Sequence, residues 1–203
     1  MVTGSDRGQA HTLEGVAAAL LVVMSMLLAL QMTAVTPLTA STSNQYIQAQ
    51  ERAAVKGVLA TSDGGELRSA VRYWNATNET TAGFYGADPE PYYTSEGPVD
   101  ELGFLKRLNE TFAGTGIAYN VRFVYVDPDG QRVRQQFVYN GRPTSNAVTA
   151  TRVVTLYDHD RLVGPDGPSG RTVSDPVYFA NNDTARESPV HTTVSVEVVA
   201  WRM

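Results

Sequence analysis

Hydrophobic residues in this chain are concentrated first in one long run near the N-terminus. From Gly15 to Leu30 the sequence carries no charged residue, and the apolar run continues to Leu38 with few polar interruptions. A helix rises about 1.5 Å per residue, so a run of this length can cross the roughly 30 Å hydrocarbon core of a bilayer. The pattern therefore predicts a transmembrane helix over residues 9–38.

Beyond the apolar run, the pattern predicts a second helical segment. Residues 39–44 are small and polar and closely follow Pro37, where a helix is expected to kink or stop. Helical spacing resumes over residues 45–60, and the paired glycines that follow favour a helix end at residues 62–65. We therefore expect a stalk helix over residues 39–65 between the membrane and a C-terminal head over residues 66–203.

The head begins with helical patterns and ends with strand patterns. Short amphipathic helices are predicted over residues 66–74 and 101–112, the second with Asp100 as its N-cap. A loop rich in Gly and Pro is predicted over residues 158–170. Alternation of apolar and polar residues predicts four strands, at 118–126, 131–139, 147–157 and 191–201. Helices followed by strands indicate an α+β fold, with short helices packed on an antiparallel four-stranded sheet.

Composition limits the chemistry available to the head. The chain has 203 residues, a formal net charge of −5 and no cysteine. Disulfides, thiolate metal sites and a cysteine nucleophile are therefore excluded. The acidic balance disfavours a nucleic-acid partner. Lysine is present only as Lys56 and Lys106, which suits a high-salt proteome and equally a GC-rich genome.

The N-terminal run has several interpretations. A cleaved secretory signal would have several basic residues and a shorter apolar region. Here Arg7 is the only lysine or arginine before the apolar region, and that region is long. An uncleaved anchor helix explains the hydrophobicity but not Glu14, a carboxylate at the entry to the apolar run. A charge at the bilayer centre costs about 2.5–3.5 kcal/mol and less near the interface, so this acid calls for a partner.

The segment Arg7-Gly8-Gln9, followed by Glu14 and an unbroken apolar helix, resembles the class III signal peptide of archaeal type IV pilin-like proteins, and haloarchaeal membrane proteins of that kind more closely still. The resemblance is confined to the N-terminal part of the chain. It implies that a membrane-bound prepilin-type peptidase removes residues 1–8 and leaves the helix on the mature protein.

The same resemblance implies a role for Glu14 in assembly. Its carboxylate would pair with the free N-terminal amine of a neighbouring subunit, and opposite charges attract strongly in a low dielectric. A cut after Gly8 makes Glu14 the sixth mature residue, whereas the usual pattern has the acid fifth. The fifth position would require a cut between Gln9 and Ala10, so both cleavage positions stay open.

Few residues suggest catalytic or metal chemistry. The segment Asp158-His159-Asp160 has the residue types of a cation site, but three polar residues that open a loop are more typical of a solvated turn. Residues 127–130 begin like a calcium loop and lack its later ligands, so we expect a hairpin turn there. His11 lies beside the membrane, and His191 begins a strand. No matched Ser/His/Asp set or phosphate loop is present, so we predict no catalytic residue, metal site, cofactor or small-molecule substrate.

Four Asn-x-Thr sequences are candidate N-glycosylation acceptors, at Asn75, Asn78, Asn109 and Asn182. Asn75 and Asn78 lie together in a predicted exposed loop, as the modification requires. Asn109 lies inside a predicted helix and is the least favourable. Unmodified surface asparagine is the alternative for each.

These observations lead to an expected function and location. The chain is expected to be a single-pass protein of the cell membrane, with a cytoplasmic N-terminus and an extracellular head. Its expected role is structural, as a minor subunit of a surface filament or as a pseudopilin of an assembly or secretion system, with like subunits as partners. The alternative is a membrane-anchored extracellular binding domain that never polymerises. A hydrolytic ectodomain has no residues to support it.

Overall fold

The computed structural model describes residues 4–62, 64–87, 92–94 and 97–203, with the backbone alone for residues 4–10 and 32–43. The chain divides into two compact units, Met1–Ile47 and Gln48–Met203. Asp63 and the first three residues of the expected leader lie outside the described residues.

Helix α1 (Gly4–Thr61) includes both the expected transmembrane helix and most of the expected stalk. The helix does not stop at residues 39–44, because it continues without a break through Pro37 and these small polar residues. Loss of one backbone donor at proline does not by itself end a long helix whose other hydrogen bonds remain. The predicted end is correct, since α1 stops at Thr61 and the amide of Ser62 still donates to the carbonyl of Val58.

Two short helices follow, α2 (Gly64–Arg72) and α3 (Gly103–Phe112). The prediction that Asp100 is the N-cap of α3 is wrong. Leu102 holds that position and makes no side-chain capping bond. The carbonyl of Pro98 accepts from the amides of Glu101 and Leu102 instead, so the turn before the helix already satisfies these donors.

The main sheet has four antiparallel strands, which confirms the predicted α+β fold. In chain order the strands are β1 (Ile117–Val126), β2 (Arg132–Val138), β3 (Val148–Tyr157), β4 (Arg161–Gly164), β5 (Gly167–Thr172) and β6 (Val190–Arg202). The order across the main sheet is β2-β1-β6-β3, and β4 pairs with β5 in a separate hairpin. This hairpin lies where the sequence predicted a loop.

The core of the second unit lies on one face of the main sheet. Alternate residues of β1, among them Val121 and Phe123, are fully buried there, and so are Leu67 of α2 and Leu105 of α3. Residues Val55, Val58 and Leu59, near the end of α1, belong to the same cluster. The opposite face of the sheet carries a much smaller buried cluster, formed by Ala118, Val199 and Trp201.

Candidate functional site

The candidate processing site lies in the first turns of α1. Arg7, Gly8 and Gln9 have helical backbone, and their side chains lie outside the described part of the chain. Glu14 is described, and its side chain is 82% exposed, with one carboxylate oxygen 3.8 Å from Nδ1 of His11. This separation is too long for a hydrogen bond, so His11 does not satisfy the carboxylate of Glu14.

The apolar stretch His11–Gln31 is long and apolar enough to cross a membrane, and none of it is buried within the protein. Its large aliphatic side chains are more than half exposed, Leu21 by 69% and Met26 by 67%. A soluble protein rarely exposes an apolar surface of this extent. The exposed surface is compatible with a single membrane anchor and with a signal sequence.

The first two candidate glycosylation acceptors lie in a turn-rich segment after α2. Asn78 is exposed, and its Oδ1 accepts from the amide and hydroxyl of Thr81. Asn75 is half-buried, and its Oδ1 accepts from the amide of Thr77, 2.9 Å away. In both cases the carbonyl oxygen makes these bonds, which leaves the amide nitrogen, the atom that sugar would modify, out of them.

The other two acceptors are in less favourable positions. Asn109 lies in α3, within the helix that the sequence predicted, and it is half-buried there. Asn182 uses its amide nitrogen to donate to the carbonyl of Asp127, 2.8 Å away, and so holds the turn between β1 and β2. A sugar on that nitrogen would compete with this bond.

The turn between β1 and β2 is the predicted hairpin turn. Oδ1 of Asp127 accepts from the amides of Asp129 and Gln131, and Gly130 adopts a positive φ of 78°. Left-handed backbone at this position is costly for any residue with a Cβ, which explains the glycine. The carboxylate of Asp127 is therefore used to form the turn.

The segment Asp158-His159-Asp160 does not act as one group. Asp160 is buried, and its Oδ2 accepts from Nε of Arg68 at 2.9 Å and from the amide of Tyr157 at 2.8 Å. His159 is exposed and stacks on Tyr157. Asp160 is thus a structural anion beneath α2, and it is unavailable to a cation held by Asp158.

Asp158 instead lies beside Asp183 and His191, two residues that come later in the chain. One side-chain oxygen or nitrogen from each of Asp158, Asp183 and His191 lies within 4.8 Å of the other two. Sequence reasoning noted Asp158 and His191 separately and missed Asp183. The pairing of β3 with β6 brings His191 to the end of β3, and the bond from the amide of Thr184 to the carbonyl of His191 brings Asp183 beside it.

An open groove of about 850 Å³ lies at the end of the sheet beside the C-terminus of α3. Tyr92 and Tyr139 line it, with their rings edge to face and their ring centroids 5.3 Å apart. Phe112 and Tyr119 contribute more aromatic surface. Burial raises the pKa of Tyr119 to about 12, so its hydroxyl stays protonated at neutral pH. The groove also includes Asn109, and its composition suits an uncharged ligand with apolar faces.

Comparison with known proteins gives one match. A family model described as a family of unknown function (DUF7288) matches residues 7–200, which includes the apolar helix and almost the whole head. No curated protein sequence matches, and no solved structure matches.

Proposed function

The chain belongs to the DUF7288 family, a family of unknown function, so a function has to be inferred from the residues of the chain itself. From these residues we propose that the protein is a structural, pilin-like membrane subunit. In this proposal a prepilin-type peptidase removes the leader after Gly8 or Gln9. The helix keeps the protein in the cell membrane, with the N-terminus cytoplasmic and the head outside. The mature chains then associate as a filament subunit or a pseudopilin.

The observation that supports this proposal most strongly is the combination of an exposed apolar helix with an acid at its entry. No residue of His11–Gln31 is buried inside the protein, so lipid or other helices must cover the apolar surface that these residues expose. Glu14 is 82% exposed in the same stretch. At the membrane a carboxylate needs a cationic partner, and the free amine produced by leader removal on a neighbouring chain would supply one.

The head fits the same role. Its described surface includes candidate acceptors for sugar at Asn75 and Asn78, and we place modification there rather than at Asn109 or Asn182. Glycosylation requires exposure on the outer side of the membrane. Sugar on the head would therefore support the orientation, and digestion of the head by protease added to intact cells would support it independently.

One observation favours a second function. The aromatic groove of about 850 Å³ beside α3 is large enough for a ligand or a peptide segment. An anchored extracellular binding domain that never polymerises would use this groove and would have no need of leader cleavage or of Glu14.

N-terminal sequencing of the membrane form separates the two functions. A chain that begins at Gln9 or Ala10 supports the pilin-like subunit. A chain that still begins at the initiator region supports the simple anchor and contradicts the proposal.

Association within the membrane provides a second test. The chain contains no cysteine, so Leu21→Cys introduces a single thiol on the exposed apolar surface. We expect oxidation to yield disulfide-linked dimers in membranes and Glu14→Gln to reduce their yield severalfold. The matched control is Glu110→Gln, which removes an exposed acid from the head. Equal yields in all three backgrounds would show that Glu14 has no role in association.

A further inference from the structure

We propose that Asp158, Asp183 and His191 form a binding site for a divalent transition-metal cation, of which zinc is the best fit. The three side chains come from three segments, namely the end of β3, the loop before β6 and the start of β6. Their candidate ligand atoms lie within 4.8 Å of one another.

The strongest evidence is the imidazole of His191. This side chain is 1% exposed, and neither Nδ1 nor Nε2 forms a hydrogen bond with any residue in the described part of the chain. A buried polar group without a partner destabilises the folded state, so such a group calls for a ligand. Nδ1 lies 3.3 Å from Oδ1 of Asp158, so a nitrogen without a hydrogen bond lies beside the carboxylates of the cluster.

Local backbone geometry explains why a histidine points inward here. On β6, Thr192 pairs with Leu156, but Val190 pairs with Tyr157, so His191 is an extra residue in a β-bulge. Without the bulge, His191 would lie on the face opposite to Thr192, because side chains alternate along a strand. Because of the bulge, His191 and Thr192 are both buried. Bulges often redirect a side chain toward a functional site.

Backbone hydrogen bonds hold the two aspartates beside the histidine. The amide of Asp158 donates to the carbonyl of Pro189, 3.1 Å away, and the amide of Thr184 donates to the carbonyl of His191, 2.8 Å away. Oδ1 of Asp183 accepts from the amide of Ala185, which fixes the carboxylate. The site is thus built on ordered backbone at the end of the main sheet.

The donor set decides the class of metal. One imidazole nitrogen with two carboxylate oxygens suits zinc and similar transition metals better than magnesium or calcium, which prefer oxygen ligands alone. Two ligands of a tetrahedral zinc ion, each about 2.1 Å from the metal, are separated by about 3.4 Å. The observed 3.3 Å between Nδ1 of His191 and Oδ1 of Asp158 matches this value. Water would complete the coordination.

The test uses the untagged full-length protein in detergent, dialysed against zinc chloride, with bound metal counted by elemental analysis. We expect one zinc per chain and a higher melting temperature with zinc, because a ligand that binds only the folded state stabilises it. Asp158→Asn and Asp183→Asn should each weaken zinc binding by more than about tenfold, because loss of a group that only orients a metal ligand already lowers metal affinity by about 10- to 100-fold. Asp183→Asn retains Oδ1, so the bond from the amide of Ala185 survives in that variant.

Two matched controls keep the test specific. His159→Gln removes the exposed neighbouring histidine, and Asp166→Asn removes an exposed acid from the β4–β5 turn; both should bind zinc like the wild type. His191→Gln should abolish binding, and if it fails to fold, the two aspartate variants decide. No zinc on the wild type, or equal zinc on the wild type and both aspartate variants, would overturn the site. Displacement of zinc by a tenfold excess of calcium would overturn the assignment to a transition metal.

Discussion

Asp160 is an acidic residue whose environment comes from distant parts of the chain. Its side chain is 7% exposed, and Arg68 and Arg72 of α2 both face it, with Nη1 of Arg72 3.5 Å from Oδ1. Burial lowers the pKa of Arg72, and the nearby carboxylate of Asp160 opposes that shift. The carboxylate therefore compensates two cations that are largely withdrawn from solvent.

Replacing Asp160 tests this role. Asp160→Asn keeps the shape but removes the charge, and hydrogen bonds to charged groups contribute about 1.5–3 kcal/mol. We expect the free energy of unfolding, measured in urea, to fall by that amount. The matched change Asp166→Asn, in an exposed turn, should alter it by less than about 0.5 kcal/mol. Equal stability of the two variants would show that water replaces the carboxylate.

Asp160 also shows what local sequence patterns leave out. Residues 158–160 form one polar cluster in the sequence, yet Asp160 bonds to Arg68, 92 positions away, while Asp158 approaches His191. Asp158 and Asp160 have different partners because of how the strands pair and where α2 packs. Neither appears in the local pattern. The four Asn-x-Thr acceptors, by contrast, are visible in the sequence, and the structure adds which of them are exposed and which amide nitrogens already form hydrogen bonds.

At the scale of elements, sequence patterns predicted the regular segments well. The strong alternation in β1, β2, β3 and β6 located all four strands of the main sheet to within one residue at each end, which is finer than the usual uncertainty of predicted ends. The β4–β5 hairpin was missed because Gly and Pro dominate its composition. Pro168 is tolerated in β5 because this two-stranded hairpin consists of edge strands.

Arg152 of β3 joins the sheet to the end of α1. Its guanidinium donates to the carbonyl of Ser62, 2.7 Å away, and to the carbonyls of Leu59 and Ala60. The last carbonyls of a helix have no partner within the helix, and a cation there interacts favourably with the helix dipole. A side chain 90 positions away in the chain thus fixes where α1 ends.

We therefore predict that Arg152→Met destabilises the C-terminal end of α1. The loss of these bonds should lower the free energy of unfolding by about 1–2 kcal/mol. Hydrogen exchange at the amide of Ser62, which bonds to Val58, should accelerate more than exchange in β6. Arg132→Met, an exposed arginine at the start of β2, is the control. Unchanged exchange at Ser62 in Arg152→Met would contradict the capping role.

At the scale of the whole molecule, buried tyrosines link the stability of the head to pH. Burial raises the pKa of Tyr93, Tyr119 and Tyr178. The unfolded chain releases these protons near pH 10, whereas the folded chain retains them. The contribution to stability is therefore complete below about pH 10 and is lost as the pH rises toward the folded values.

We predict a steep fall in the free energy of unfolding between about pH 10 and about pH 12, that is, from the unfolded pKa up to the folded pKa of Tyr119. Each such tyrosine contributes up to about 1.4 kcal/mol per pH unit above its unfolded pKa. Urea unfolding at several pH values, together with tyrosinate absorbance, measures the effect. Tyr119→Phe should reduce the slope, and Tyr46→Phe, at a residue that is 74% exposed, should not. A constant free energy across this range would contradict the prediction.

The division of the chain after Ile47 predicts which part can fold alone. The main core begins at Val55, and no buried residue of that cluster precedes it in the described part of the chain. The last turns of α1 also carry Glu51, whose carboxylate accepts from Nε of Arg202 at 2.6 Å. Residues 48–61 therefore belong to the head by packing, although they continue the same helix as the apolar segment.

Two truncations test this division directly. The fragment 48–203 should be soluble without detergent and should melt cooperatively, because it keeps the whole core. The fragment 63–203 loses Val55, Val58 and Leu59, and full burial of each such side chain contributes about 1.5–3 kcal/mol. A loss of about 5–9 kcal/mol is comparable to the total stability of a typical domain, so this fragment should be largely unfolded by circular dichroism. If both fragments melt alike, the end of α1 contributes little to the core, and the head begins only at α2.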